Sequence, residues 1–252
     1  LGVFIFTILG VYKSIVRFIE FTTISRIVVS ITLVFLIDLF LSPYLDEAIR
    51  QLFPFILKEK VILTDCDGVC LDWETAFFTW MAHNGMNPVG EDWKLKYKVS
   101  DRFGVSVAEG QRLTNQFNSS AAIGFLPPLR DAQHYMKLLA EKHGYRFVAV
   151  TSLHSDPYAQ ELRTQNLKKL FGEDTFIEYH YLDCGADKDE ILLELANKYE
   201  GCPWIEDKYI NVEVGMKVGF KGYLIEHGHN LRYEGNAIVV KNWEQIYESI
   251  TK

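Results

Sequence analysis

Two acidic pairs in this sequence are placed where they could do chemistry. In Val61-Ile62-Leu63-Thr64-Asp65-Cys66-Asp67-Gly68, two carboxylates follow an apolar, β-branched run, and a glycine lets the chain turn sharply behind them. Carboxylates so placed can hold a divalent cation. Mg²⁺ is the expected one, a hard ion that keeps several waters and takes one or two protein carboxylates. A carboxylate attacking a phosphate monoester meets anion–anion repulsion, which a bridging cation offsets while orienting an in-line displacement. In that chemistry Asp65 is the nucleophile. Asp67 protonates the leaving oxygen and later takes a proton from the hydrolytic water. Read alone, the same residues are an ordinary acidic strand-to-turn junction.

The second pair is Glu206-Asp207, after the short apolar run Trp204-Ile205 and followed by Asn211. Asp207 is the expected direct ligand, joining Asp65 and Asp67. Glu206 is a further candidate ligand, although it and Asn211 could instead orient the ligand or its waters. Between the pairs, Phe147-Val148-Ala149-Val150 runs into Thr151 and Ser152, whose hydroxyls and nearby amides can hydrogen-bond phosphoryl oxygens. Lys188 opens a helical stretch, where its ammonium could neutralise charge shared by nucleophile and phosphate.

These residues need a scaffold that brings strand ends together. Apolar, β-branched runs at 61–64, 147–150, 176–181, 204–205, 223–225 and 238–240 read as strands, and the stretches 129–143, 156–170, 187–199 and 243–250 as helices. The alternation predicts an α/β fold, a Rossmann-like parallel sheet with helices on both faces, in which ligands bind beyond the carboxyl ends of the strands. One interval, 72–126, breaks the alternation and reads as a small helical cap inserted after the first strand, rich in aromatics and closed by Pro127-Pro128. Within it, Trp73 and Phe77 lie nearest the acidic motif and are the expected platforms for a substrate ring.

Composition bounds the rest. With 26 Lys and Arg against 33 Asp and Glu, the net charge is −7, which disfavours a stable nucleic-acid partner. An apolar content of 48% supports a packed core. Cys66, Cys70, Cys184 and Cys202 are too irregularly spaced for a disulfide scaffold or zinc ribbon, which fits a reducing, cytoplasmic setting. Cys66 and Cys70 read as packing residues rather than catalytic thiols. His227 and His229 read as loop residues rather than metal ligands, and His154 as a residue at the start of a helix.

Residues 1–57 form a hydrophobic segment distinct from the domain over 58–252. Its uncharged run 27–37, between Arg26 and Asp38, is short for a bilayer span of about 20 residues. A membrane anchor through residues 1–42, a helical hairpin packed on the domain or a partner, and sequence foreign to the mature chain are all open readings. The oligomeric state is open too.

In order and separation these residues resemble the four motifs of the haloacid dehalogenase-like phosphatases: Asp65 to Glu74 the first, Thr151 the second, Lys188 the third, and Glu206-Asp207 with Asn211 the fourth. That resemblance implies a Rossmann-like core, an aspartyl-phosphate intermediate and Mg²⁺. Within the superfamily, Asp67-Gly68-Val69, Asp72-Trp73, the helical insert and Gly124 to Pro128 are similar to the 5′(3′)-deoxyribonucleotidases, implying a small phosphorylated metabolite, a nucleoside monophosphate, as substrate. There are departures: Cys70 stands where leucine is usual, Asn211 replaces a frequent aspartate, and the N-terminal segment has no counterpart in that group.

Overall fold

The computed structural model describes residues 60–252, so the readings made for the N-terminal segment lie outside the described residues. The elements run β1 (Val61–Thr64), α1 (Trp73–His83), α2 (Val99–Phe103), α3 (Val107–Asn118), α4 (Ala132–His143), β2 (Arg146–Ser152), α5 (Pro157–Phe171), β3 (Phe176–Leu182), α6 (Asp189–Tyr199), β4 (Pro203–Glu206), α7 (Tyr209–Lys217), β5 (Lys221–Ile225), β6 (Ile238–Val240) and α8 (Trp243–Thr251). The strands make one sheet in the order β3-β2-β1-β4-β5-β6, every neighbouring pair parallel. This is the α/β architecture expected from the alternation of strands and helices. Among the described residues, no helix is long and apolar enough to cross a membrane.

Successive strand side chains point to opposite faces, and both faces here are covered. Ile62, Phe147, Ala149, Tyr223 and Ile225 join one core with Trp243, whereas Val61, Leu63, Val148, Val150, Trp204 and Leu224 join a second core with Leu192 and Val212. The runs Val61–Leu63 and Phe147–Val150 of the central strands are therefore continuously apolar instead of alternating with polar residues. Trp243, on α8, also donates its indole N–H to the Val69 carbonyl at 2.8 Å, tying the last helix to the turn that follows β1.

The cap consists of α1 to α3 and short 3-10 turns, inserted between β1 and α4. Its two connections pair with each other: Asp72 N–H donates to the Pro127 carbonyl and Leu129 N–H to the Cys70 carbonyl, both at 2.9 Å. Inside the cap the buried Arg102 guanidinium pairs with Glu74 and donates from Nε to the Lys96 carbonyl at 2.5 Å.

Helix α7 was not among the helices read from sequence. Its residues, Tyr-Ile-Asn-Val-Glu-Val-Gly-Met-Lys, include β-branched side chains and a glycine and have weak intrinsic helicity. Packing overrides that preference: Val212 and Gly215 are buried, and a Cβ on Gly215 would stand 2.4 Å from Trp204 Cδ1. Gly to Ala in an open helix stabilises by roughly 0.5–1 kcal/mol. Here the sign should reverse, with Gly215→Ala lowering stability by about 1–3 kcal/mol in urea unfolding because backbone and indole cannot both stay in place.

On the edge strand β3, Glu178 accepts from Tyr199 Oη at 2.5 Å, from His180 at 3.1 Å and from Lys198. Partial burial opposes its charge, but these hydrogen bonds outweigh that and pull its pKa down to about 2. A depressed carboxyl pKa contributes stability that is present above the ordinary value and lost as pH falls toward the folded one. Wild type minus Glu178→Gln, compared by urea midpoint, should show an advantage at pH 6 that disappears between about pH 4.5 and 2.

Candidate active site

The strand order changes direction at β1, so the segments leaving β1 and β4 part to opposite faces and open a cleft at their carboxyl ends. Register aligns those ends: Thr64 lies opposite both Ala149 and Ile205, and Asp65 N–H donates to the Ile205 carbonyl at 2.9 Å. Asp65 and Glu206 therefore leave neighbouring strands at the same level. The cap roofs the cleft and encloses a cavity of about 380 Å³, whose wall includes Asp65, Asp67, Trp73, Ser152, Lys188, Glu206 and Asp207.

Lys188, the residue preceding α6 and only 1% exposed, donates to Asp65 Oδ2 and to Glu206 Oε2, each at 2.8 Å. The other Glu206 oxygen accepts the Lys208 N–H at 3.1 Å and the Asn211 amide at 3.3 Å, so α7 supplies the clamp on Glu206. Asp65, Glu206 and Asp207 present oxygens that all lie within 4.8 Å of one another. Such hard oxygens, from buried Asp65 and Glu206 and half-buried Asp207, fit a divalent cation. Asp67, expected among the ligands, stands outside that cluster. Its carboxylate turns to the fully buried Arg163 of α5: Nη1 is 2.8 Å from Oδ1 but poorly aligned for a hydrogen bond, while Nη2 donates to Oδ2 at 3.3 Å.

Charge is crowded here. Burial and then Asp65 push Glu206 upward against the opposing Lys188 ammonium; burial, Glu206 and Asp65 push Asp207 well above the usual carboxylate range. Asp67 is pushed up to about 6, burial first and Asp65 adding to it, with Arg163 opposing. Burial also disfavours the Lys188 ammonium, yet Asp65 and Glu206 more than compensate and raise its pKa above the ordinary lysine value. A cation in the cluster would relieve this surplus of negative charge.

Thr151 is fully buried at the end of β2 and is not part of the cavity wall; its Oγ1 has no hydrogen-bond partner, an uncommon state for a buried hydroxyl. Ser152 lines the cavity, its hydroxyl 3.4 Å from the Ala186 carbonyl. Trp73 also lines it, with the indole N–H held by Asn118 Oδ1 at 2.8 Å and the ring stacked on Phe77 at 4.5 Å. Phe77, expected as a second platform, is instead 1% exposed, enclosed by Trp73, Trp80, Phe103 and Phe117, and absent from the cavity wall. It is a core residue. Cys66 and Cys70 are buried, and burial pushes the Cys66 thiol up to about 12, leaving it an inert packing group. His154 caps locally, accepting the Asp156 N–H at 3.0 Å.

Sequence reasoning missed three contributors. Arg163 falls on the i, i+4 row of Ala159, Leu167 and Phe171, all buried, and a lone arginine in that row was the available signal. His227 and His229 follow β5 and line the cavity, and extending the strand-end argument to β5 would have reached them. Burial lowers both imidazole pKa values, His229 to about 4, so both rings are neutral near pH 7.

No family model matches the sequence. The "Uncharacterized 32.4 kDa protein in Gp30-rIII intergenic region" of Enterobacteria phage T4 is 30% identical over 157 residues, covering 59% of this chain and 54% of its own. The chain thus spans about half the length of that relative. Among solved structures, a haloacid dehalogenase-like family hydrolase from Streptococcus pneumoniae superposes with a TM-score of 0.55 at 14% identity, over 76% of this chain and 98% of its own. The L-2-haloacid dehalogenase from Xanthobacter autotrophicus, with chloropropionic acid covalently bound, gives 0.50 at 11% identity over 77% and 98%. The chain has the haloacid dehalogenase-like fold.

Gly68 has φ +75°, and a Cβ there would stand 2.6 Å from Asp207 Oδ2. Gly68→Ala should cost about 1–3 kcal/mol and push Asp207 aside. In thermal melts, added Mg²⁺ should then raise Tm less in the variant than in wild type.

Proposed function

We propose that this chain is a divalent-metal-dependent phosphomonoester hydrolase that transfers the phosphoryl group to Asp65. The observation that carries this reading is the pair of 2.8 Å contacts from buried Lys188 to Asp65 and Glu206, with Asp207 alongside, at the floor of a roofed cavity. A carboxylate nucleophile and a phosphate cannot approach without cationic help, and this floor offers an ammonium together with a cluster able to hold a cation. Asp65 and Asp207 would hold Mg²⁺, while Glu206 is engaged mainly in orienting Lys188. When bound, Mg²⁺ supplies charge neutralisation and orientation of a phosphoryl oxygen.

In this scheme an Asp65 oxygen attacks phosphorus, the bond to the ester oxygen breaks, and Asp67 gives its proton to the leaving alkoxide. Asp67, now ionised and facing Arg163, takes a proton from water as that water attacks the aspartyl-phosphate and regenerates Asp65. A pKa near 6 leaves Asp67 able to act in both directions close to neutrality. Thr151 Oγ–H, otherwise unpartnered, donates to a phosphoryl oxygen, and Ser152 supports it from the wall.

The substrate in this reading is a small phosphorylated metabolite, a nucleoside 5′- or 3′-monophosphate, its base against Trp73. The indole is suited to this because its ring plane is fixed by Asn118 and by Phe77 behind it. A sugar phosphate is the second reading, favoured by the polar wall of Gln111, Thr114 and Asn118, which could pair with hydroxyls.

The test is Mg²⁺-dependent phosphate release from a panel of 5′- and 3′-(deoxy)nucleotides and sugar phosphates. Asp65→Asn should lower kcat by at least about 10³-fold without changing the circular dichroism spectrum. Trp73→Ala should raise KM for nucleotides about tenfold, with little change for sugar phosphates. A folded protein releasing phosphate from no substrate would sink the enzyme reading, leaving a non-catalytic phosphate-binding module.

A further inference from the structure

We propose that the turn from His227 to Asn230 is a brace that fixes Asp207 for cation binding, with His229 as its main positioning residue. The inference rests on the reading of Asp207 as a metal ligand. The main-chain carbonyl of Asp207 accepts from His229 Nε2 at 3.1 Å and from Asn230 Nδ2 at 2.7 Å. A carbonyl only accepts, so His229 carries its proton on Nε2. The same nitrogen lies 3.5 Å from Asp207 Oδ2, close enough to bias the carboxylate electrostatically but long for a hydrogen bond. Holding the carbonyl from two sides fixes the backbone from which the carboxylate projects, leaving only its χ angles free.

The turn grips the partner loop as well. His227 Nε2 donates to the Gly68 carbonyl at 2.7 Å, and Gly68 is the residue whose missing Cβ leaves room for Asp207 Oδ2. The brace itself cannot swing. Asn230, 5% exposed, also donates to the Ile225 carbonyl at 2.7 Å, anchoring the turn to the end of β5. On its other side the turn meets the cap: a Cβ on Gly228 would stand 2.1 Å from the Lys94 carbonyl, and the Tyr97 ring packs edge-on to His229 at 5.0 Å. The turn is thus wedged between cap and cluster. Donors of this kind behind a ligand commonly change metal affinity about 10- to 100-fold.

The experiment is Mg²⁺ titration of the full chain by isothermal calorimetry without substrate, alongside melting in EDTA. His229→Leu should weaken Mg²⁺ binding about tenfold or more while melting in EDTA within a few degrees of wild type. His229→Gln, which restores an N–H donor at the reach of Nε2, should recover most of the lost affinity. A merely structural role would lower melting in EDTA and give the glutamine variant no advantage in binding. Wild-type affinity in His229→Leu, or equal loss in both variants, overturns the brace. Failure of wild type itself to bind Mg²⁺ would instead overturn the metal reading on which the brace rests.

Discussion

Carboxylates that water would keep apart are forced together where β1 and β4 end. Asp65, Asp67, Glu206 and Asp207 meet there because parallel pairing puts Thr64 level with Ile205, and the residues after them have nowhere else to go. Removing those charges from water is costly unless each is matched. Lys188 answers Asp65 and Glu206, and Arg163 answers Asp67, but Asp207 has no cationic side chain of its own at hydrogen-bond distance among the described residues. The remaining imbalance suits the cluster to holding a cation.

Much of the surrounding fold can be read as the means of holding that imbalance in place. Lys188 stands immediately before α6, α5 carries Arg163 on its buried row, and α7 turns Asn211 onto Glu206. The tight turn at Gly68 lets Asp207 approach, and Trp243 anchors the same turn from the far end of the chain. Pairing between the two cap connections seats the roof beside Asp65. Pro127 and Pro128, which have no backbone N–H, donate nothing to that pairing.

The strand-end carboxylates and Lys188 were legible in the sequence because each sits directly after an apolar run or at a helix start, and a parallel sheet brings such positions to one edge. What was not legible depended on facts that local pattern does not carry. Helix α7 has weak propensity and exists because Gly215 permits contact with Trp204. Arg163 could be placed only by knowing that its helix row faces the sheet end. Trp73 and Phe77 share one helical stripe with Met81, so face alone could not separate them. Position along the helix axis did: Trp73 is the first residue of α1, nearest the acidic turn, and Phe77 lies one turn deeper in the cap core.

The fold by itself does not choose a reaction, since the same architecture serves the Xanthobacter enzyme with its covalently bound chloropropionic acid. The choice has to come from charge. Attack on a carbon centre that expels halide asks for one exposed carboxylate and gains nothing from packing three more around it. Attack on a dianionic phosphate is slowed by every one of those negative charges unless a cation sits among them, and then the same carboxylates become the means of holding that cation. The Glu206-Asp207 pair, clustered with Asp65 beside the Lys188 ammonium, therefore weighs toward phosphoryl chemistry more heavily than the topology does.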